Sequence, residues 1–375
     1  TGKSMNIELS RNQKIKKGIK AALEGLPLGL GSNVVIPLIR WLLAVFVYRS
    51  AIKRFRRWQN AKREAKIISK GITNGVNMVI IVYDNLASPP TYGDIFFSIM
   101  FARYLTLRDI KVRFYIVDSE YRQDWNNYSK TEIGKSKFVD EQVHLARTII
   151  NSSLAEIQRG PWSDCQELLS TLPTDSIIPF VDGVKCRIGI YHDFWILLNI
   201  LITQNDDGIL EKLLLTGDEL KGNIDIQLAP KNSYITIGCR HSTKWGDVRN
   251  LSINEFVSIN ISLRKRFPNH LIMIVSDELG CEYFSSVAKK YNLACIYSKQ
   301  YSSTYVGDGA LILNSDFFFI LKGGGISVFP QFSKVPFENY QPANEMLMWS
   351  QKKWASWQNQ DQLYFNTDVL PHHYI

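Results

Sequence analysis

The chain has 375 residues, is 45% hydrophobic and 12% aromatic, and carries a formal net charge of +9. That length and apolar content leave room for two globular domains with full cores, and they exclude a disordered chain or a single small module. The charge is unevenly placed: residues 1–66 hold 15 Lys/Arg against 3 Asp/Glu, leaving 29 against 32 in residues 67–375. The body is therefore slightly acidic, and a nucleic-acid partner is not expected of it.

The excess cations follow a short apolar run. From Val34 to Tyr48 the chain reads VVIPLIRWLLAVFVY, interrupted by Pro37 and Arg40, which is shorter than the roughly 20 residues a spanning helix needs. Arg49, Lys53, Arg54, Arg56, Arg57, Lys62, Arg63 and Lys66 come next, interleaved with Phe55 and Trp58. An apolar helix with aromatics and a dense cationic continuation suits an element lying on an anionic membrane surface, so residues 34–66 are expected to dock there from the cytoplasmic face. The competing reading is a core helix followed by a solvated basic helix. No small-residue cleavage site separates the apolar run from the charges, which argues against a secretory leader. The five cysteines, at 165, 186, 239, 281 and 295, are odd in number and lack CxxC spacing, so neither a disulfide framework nor a zinc site is expected.

From Asn77 the pattern alternates between strand and helix. MVIIVYDN (Met78 to Asn85) reads as a buried strand, SPPTYGD as a loop, IFFSIMFARYLTLRD as a helix and VRFYIVD as a second strand, which makes a βαβ unit. SKFVDEQVHLARTIINSSLAEI (residues 136–157) reads as one helix, with further buried elements at IIPFVDG and in the apolar run from Tyr191 to Ile202. A second α/β half opens at SYITIGCRHS (Ser233 to Ser242) and continues with helix INEFVSINISLRKRF, strand LIMIVSD, helix EYFSSVAKKY and strand LACIY. A helix over DGALILNSD then feeds the strand FFFILK. The expected fold is α/β with two Rossmann-like domains, divided as a basic helical arm (1–70), a first domain (71–228) and a second (229–375).

The strand FFFILK runs into Gly323, Gly324 and Gly325, and an apolar segment closed by Pro336 follows. Glycines at such a break can adopt φ > 0 and turn their N–H groups toward an anion such as a diphosphate. A tight structural turn is the plainer alternative.

Three strand tips carry a resemblance over residues 233–337: Cys239-Arg240-His241-Ser242, Ser276-Asp277, and the Asp316-anchored strand that leads to Gly323–Ser327. In these the chain resembles glycosyltransferases of the GT-B architecture, in particular the branch of α-1,6-fucosyltransferases and protein O-fucosyltransferases, and bacterial surface-polysaccharide transferases of related layout. The resemblance implies transfer of a sugar from a nucleotide-sugar donor to a glycan acceptor, expected here to be lipid-linked. It implies that Arg240 contacts the donor diphosphate, which a guanidinium can bind bidentately. His241 and Lys244 would add phosphate or pocket contacts, although a His at a strand tip also caps backbone groups. Ser276 and Asp277 would lie near the base or ribose, or cap the following helix. Gly323, Gly324, Gly325 and Ser327 would face the diphosphate, at positions where the family commonly has Ser or Thr. Asp94, after a glycine at a helix start, is the expected catalytic base, with an N-cap role as its alternative and Asp84, Asp118 and Glu120 at neighbouring strand ends. No DxD pair stands at a strand end, and the nearest, Asp225-Ile226-Gln227, lacks its second carboxylate. A metal-independent reaction without cofactor is therefore expected. The rivals are a heptosyl, hexosyl or Kdo transferase on the same fold, or a membrane-docked nucleotide-binding or scaffolding protein without transfer activity.

Overall fold

The computed structural model describes residues 78–85, 92–118, 132–170, 177–180, 208–223, 232–241, 250–321 and 325–340, with Pro230 and scattered positions between 59 and 70 and between 197 and 201. The expected membrane element lies almost wholly outside these residues. Near its end, Ala65 is fully buried in the main apolar core, so the chain packs against the body at that position. Among the described residues no helix is long and apolar enough to cross a membrane.

The first sheet is parallel throughout, in the order β3-β2-β1-β4, built from β1 (Met78–Asp84), β2 (Lys111–Val117), β3 (Ala155–Gly160) and β4 (Ile177–Phe180). A parallel strand covered on both faces reads as a continuous apolar run, and VIIVY of β1 is buried along its whole length. The crossovers are α1 (Tyr92–Thr106), α2 (Glu132–Ile150) and α3 (Trp162–Ser170). Two sequence expectations shift here: the first crossover helix starts at Tyr92, inside the expected loop, and the helix expected over residues 136–157 stops at Ile150, with Ala155–Gly160 a strand. Asn151 adopts φ 39°, a left-handed conformation that asparagine tolerates and that ends the helix. Edge strand β3 then pairs in register with β2, where Arg113 faces Glu156 in an ion pair of 2.8 Å.

Two short helices, α4 (Ile209–Leu213) and α5 (Gly217–Leu220), lead toward the second sheet. That sheet is also parallel, in the order β7-β6-β5-β8-β9, from β5 (Tyr234–Gly238), β6 (Leu271–Val275), β7 (Cys295–Tyr297), β8 (Phe317–Leu321) and β9 (Phe337–Tyr340). Its helices start at side-chain caps. Ser252 and Glu255 form a capping box on α6 (Ile253–Arg266), Asp277 caps α7 (Glu278–Lys290), and Thr304 caps α8 (Tyr305–Leu313). After the glycines come a 3-10 turn over Gly325–Ser327 and α9 (Val328–Gln331), only four residues long.

The largest apolar cluster runs across both sheets. Phe96 of α1 meets Phe329 edge-on at 5.1 Å, and Phe97 meets Phe332 at 5.7 Å. Buried Arg103 of α1 bonds the carbonyls of Ile149 and Lys212 and the carboxylate of Glu219 at 2.7, 3.0 and 2.6 Å. A guanidinium spends several donors there on groups far apart in sequence, so the start of the second half is tied to α1 by polar as well as apolar contacts.

Candidate active site

Both sheets change direction. The chain builds outward from β1 through β2 to β3 and then returns to the other side of β1 with β4; it builds from β5 through β6 to β7 and returns beside β5 with β8. At such a switch point the loops leaving two adjacent parallel strands diverge and open a crevice at their carboxyl ends, where open α/β sheets bind ligands.

At the switch point of the second sheet, β5 and β8 are paired with Gly238 opposite Ile320. Cys239, Arg240 and His241 leave β5 and the glycine-rich segment leaves β8, so the two sequence features emerge side by side from the same edge. The contact is direct: a Cβ placed on Gly238 would lie 3.3 Å from Ile326 Cγ2 and 2.8 Å from the Phe318 ring. Arg240 is half-buried two residues beyond Gly238. Lys244, Gly323 and Gly324 lie outside the described residues.

Gly325 departs from expectation. It does not occupy the left-handed region; among the described glycines only Gly208 does. Glycine is favoured there by close approach, since a Cβ on Gly325 would sit 3.3 Å from the backbone N of Gly93, and one on Gly93 would sit 3.1 Å from Gly325 Cα, both tighter than ordinary contacts. The start of α1, at the switch point of the first sheet, thus lies backbone to backbone against the glycine turn. Asp94 is the next residue, in the first turn of α1.

A polar and aromatic cluster surrounds this contact. The Tyr305 hydroxyl donates to the Gly325 carbonyl at 2.6 Å, and the Tyr305 ring stacks on Tyr92 with centroids 4.4 Å apart. The Tyr92 hydroxyl donates to Glu141 of α2. One turn along α8, Asp308 is 5% exposed, and its Oδ2 pairs with Lys299 Nζ at 2.7 Å. Burial pushes the Asp308 carboxyl up to about 6, the Lys299 ammonium pulls it down, and the Glu141 charge across the junction raises it.

Other strand tips have defined work. His241 stacks flat on Tyr283, centroids 3.8 Å apart and 8° between planes. Asp277 Oδ1 accepts from the Gly280 N–H at 2.8 Å, the helix-cap geometry that stood as its alternative, and Ser276 beside it is buried. Ser327 precedes α9 without a side-chain cap to it. On the first sheet, Asn85 and Gln142 exchange amide hydrogen bonds of 2.8 and 3.2 Å, and Asn85 also donates to the Val117 carbonyl at 3.1 Å. Arg159 spans Asp118 at 3.3 Å and Asp140. Cys165, Cys239, Cys281 and Cys295 are free thiols, the first three buried, and burial raises all four. Among the described residues no group of His, Cys, Asp or Glu is arranged to hold a metal ion.

Sequence reading did not single out Tyr92, Glu141, Lys299, Tyr305 or Asp308. Their only local signal is the Thr304 cap followed by an acid in the first turns of α8, which is also the signature of an ordinary helix start.

No protein-family model matches the chain, and no curated protein matches it significantly. Among solved structures it is similar to a glycosyl transferase family 9 protein of Veillonella parvula, with 8% identity and a TM-score of 0.43 over 71% of this chain and 80% of that one. It is also similar to the E. coli ADP-heptose lps heptosyltransferase II, with 8% identity and a TM-score of 0.43 over 80% of this chain and 90% of that one.

Proposed function

We propose that the chain is a metal-independent glycosyltransferase that moves a sugar from a nucleotide-sugar donor to a cell-surface glycan acceptor carried on a lipid. The observation that carries this reading is the pairing of β5 with β8 at a switch point, which brings Arg240 and the glycine turn to one crevice edge, with α1 of the other half against that turn. A leaving diphosphate needs a guanidinium and backbone N–H groups, and Arg240 and the glycine turn are the groups assigned to supply them.

The reaction assigned to it is a displacement. The acceptor hydroxyl oxygen bonds to the anomeric carbon, the bond from that carbon to the diphosphate oxygen breaks, and its electron pair leaves with the diphosphate. Arg240 offsets the charge that develops there, and a carboxylate takes the hydroxyl proton. Asp94 is the candidate base, because the first turn of α1 adjoins the glycine turn. His241 and Lys244 complete the donor side. Residues 34–66 would hold the enzyme at the cytoplasmic face of an anionic membrane, raising its effective concentration near a lipid-borne acceptor. The donor sugar, whether deoxyhexose as in the fucosyl branch, heptose or hexose, depends on pocket contacts that differ within one fold.

The test is a thermal-shift panel of GDP-, UDP-, ADP-, dTDP- and CMP-linked sugars on the full chain, followed by a transfer assay with the donor that binds. A ligand specific to the folded state raises the melting temperature. Arg240→Ala is expected to reduce kcat by about 100- to 1,000-fold with the fold retained. Unchanged turnover, or no stabilisation by any sugar nucleotide, would leave a membrane-docked scaffold as the better reading.

A further inference from the structure

The tyrosine pair at the junction does something that the donor crevice needs. A trans peptide unit is planar, with its C=O and N–H pointing in opposite directions. The Tyr305 hydroxyl holds the Gly325 carbonyl at 2.6 Å, so the Ile326 N–H of the same peptide unit is fixed in the opposite sense. The Ile326 side chain meanwhile lies over the end of β5, its Cγ2 3.3 Å from where a Cβ on Gly238 would stand. The turn is thus held from one side by a hydroxyl and from the other by a strand end. The ring that carries the hydroxyl is itself held: it stacks on Tyr92 at 4.4 Å and lies 5.2 Å from Phe329, and Tyr92 is anchored to Glu141.

We infer that Tyr305 is a positioning residue of the donor site, its hydroxyl orienting the Gly325–Ile326 peptide unit toward the diphosphate of the sugar nucleotide and its ring tying that orientation to the first half through Tyr92. This rests on the transferase reading above, and it adds a residue that the strand-tip motifs do not contain. Tyr305 need not touch the ligand. It sets the direction of a backbone donor, which otherwise follows the torsions of a glycine-rich segment and loses that freedom when an anion binds.

The test uses the full chain and two variants. Tyr305→Phe keeps the ring stack and deletes the hydroxyl, while Tyr305→Leu also removes the stack. In ligand-free protein, amide hydrogen exchange at Ser327 and Val328, whose N–H groups close the 3-10 turn, is expected to accelerate several-fold in Tyr305→Phe and further in Tyr305→Leu, with exchange in β5 and β8 unchanged. Dissociation constants for GDP, UDP, ADP and dTDP are then measured by calorimetry. The nucleotide that binds the wild type is expected to bind Tyr305→Phe about 2- to 10-fold more weakly, the range for loss of one neutral hydrogen bond. Exchange that stays at the wild-type rate in Tyr305→Phe overturns the positioning role whether or not a ligand is known. Faster exchange with undiminished nucleotide affinity overturns the link to the donor site. If none of the four nucleotides binds the wild type, the reading of the crevice as a nucleoside-diphosphate site falls and takes the donor link with it, while the exchange data, obtained without ligand, still decide whether Tyr305 positions the turn.

Discussion

Asp308 offers a test of the junction that needs no substrate. Its carboxyl is raised from 3.8 to about 6, chiefly by burial, against the opposing pull of Lys299. The folded protein therefore holds this proton more tightly than the unfolded chain does between those two values. The stability that the group contributes is fully present below its unfolded pKa and is lost as pH rises through its folded one. At about 1.4 kcal/mol per pH unit, the full window amounts to about 3 kcal/mol, of which about 2 kcal/mol falls between pH 4.5 and pH 7. Asp308→Asn cannot titrate. Urea unfolding of wild type and variant at those two pH values isolates this carboxyl from all others, because their contributions are common to both proteins. The variant is expected to gain about 2 kcal/mol relative to wild type on going from pH 4.5 to pH 7. A difference that stays flat across that range would refute the buried, upshifted carboxyl, and a difference that moves the other way would mean that the Lys299 pairing outweighs burial.

Two further substitutions probe the packing of the site. Gly93→Ala places a Cβ 3.1 Å from Gly325 Cα, backbone against backbone with no flexible group to yield; a loss of about 1 to 3 kcal/mol is expected in denaturant unfolding, together with a rise in KM for the donor. Asn85→Ala strands the buried Gln142 amide and should cost about 1 to 3 kcal/mol, whereas Gln142→Ala leaves Asn85 its bond to the Val117 carbonyl and should cost less. In the double variant the costs should be less than additive, because the second substitution removes the stranded partner. Strict additivity in that cycle would mean that the two amides are not coupled.

The parts legible in the sequence are those where one physical demand dominates a contiguous stretch. Strands β1, β6 and β8 are buried on both faces, so their apolar runs stand out, and α6 and α7 begin at Ser and Asp caps that the chain displays openly. Strand β3 was hidden because it is a half-exposed edge strand, AEIQRG, that follows a long helix after only four residues, and nothing in its composition rejects the helical period. The common edge of Arg240 and the glycine turn was anticipated from the two strand tips, and the β5–β8 pairing supplies the physical connection. The tyrosines and the buried charge pair were not visible, because Tyr92 and Tyr305 lie more than 200 residues apart and only the tertiary fold makes them neighbours.

The role of Gly325 turns on a distinction that a glycine run conceals. Glycine serves either where the backbone must take φ > 0 or where something must come closer than a Cβ allows. The first demand was expected and is not what Gly325 meets; the second is, with Gly93 of the other half as the close neighbour. These two demands predict different consequences of substitution. A residue needed for φ > 0 could be replaced by asparagine at modest cost, since asparagine tolerates the left-handed region. A residue favoured by close approach gains nothing from asparagine's tolerance of φ > 0, so Gly325→Asn should be at least as damaging as Gly325→Ala in both stability and donor affinity. If asparagine instead proves milder than alanine, the turn depends on conformation, and the contact between α1 and the glycine turn does not set the spacing of the site.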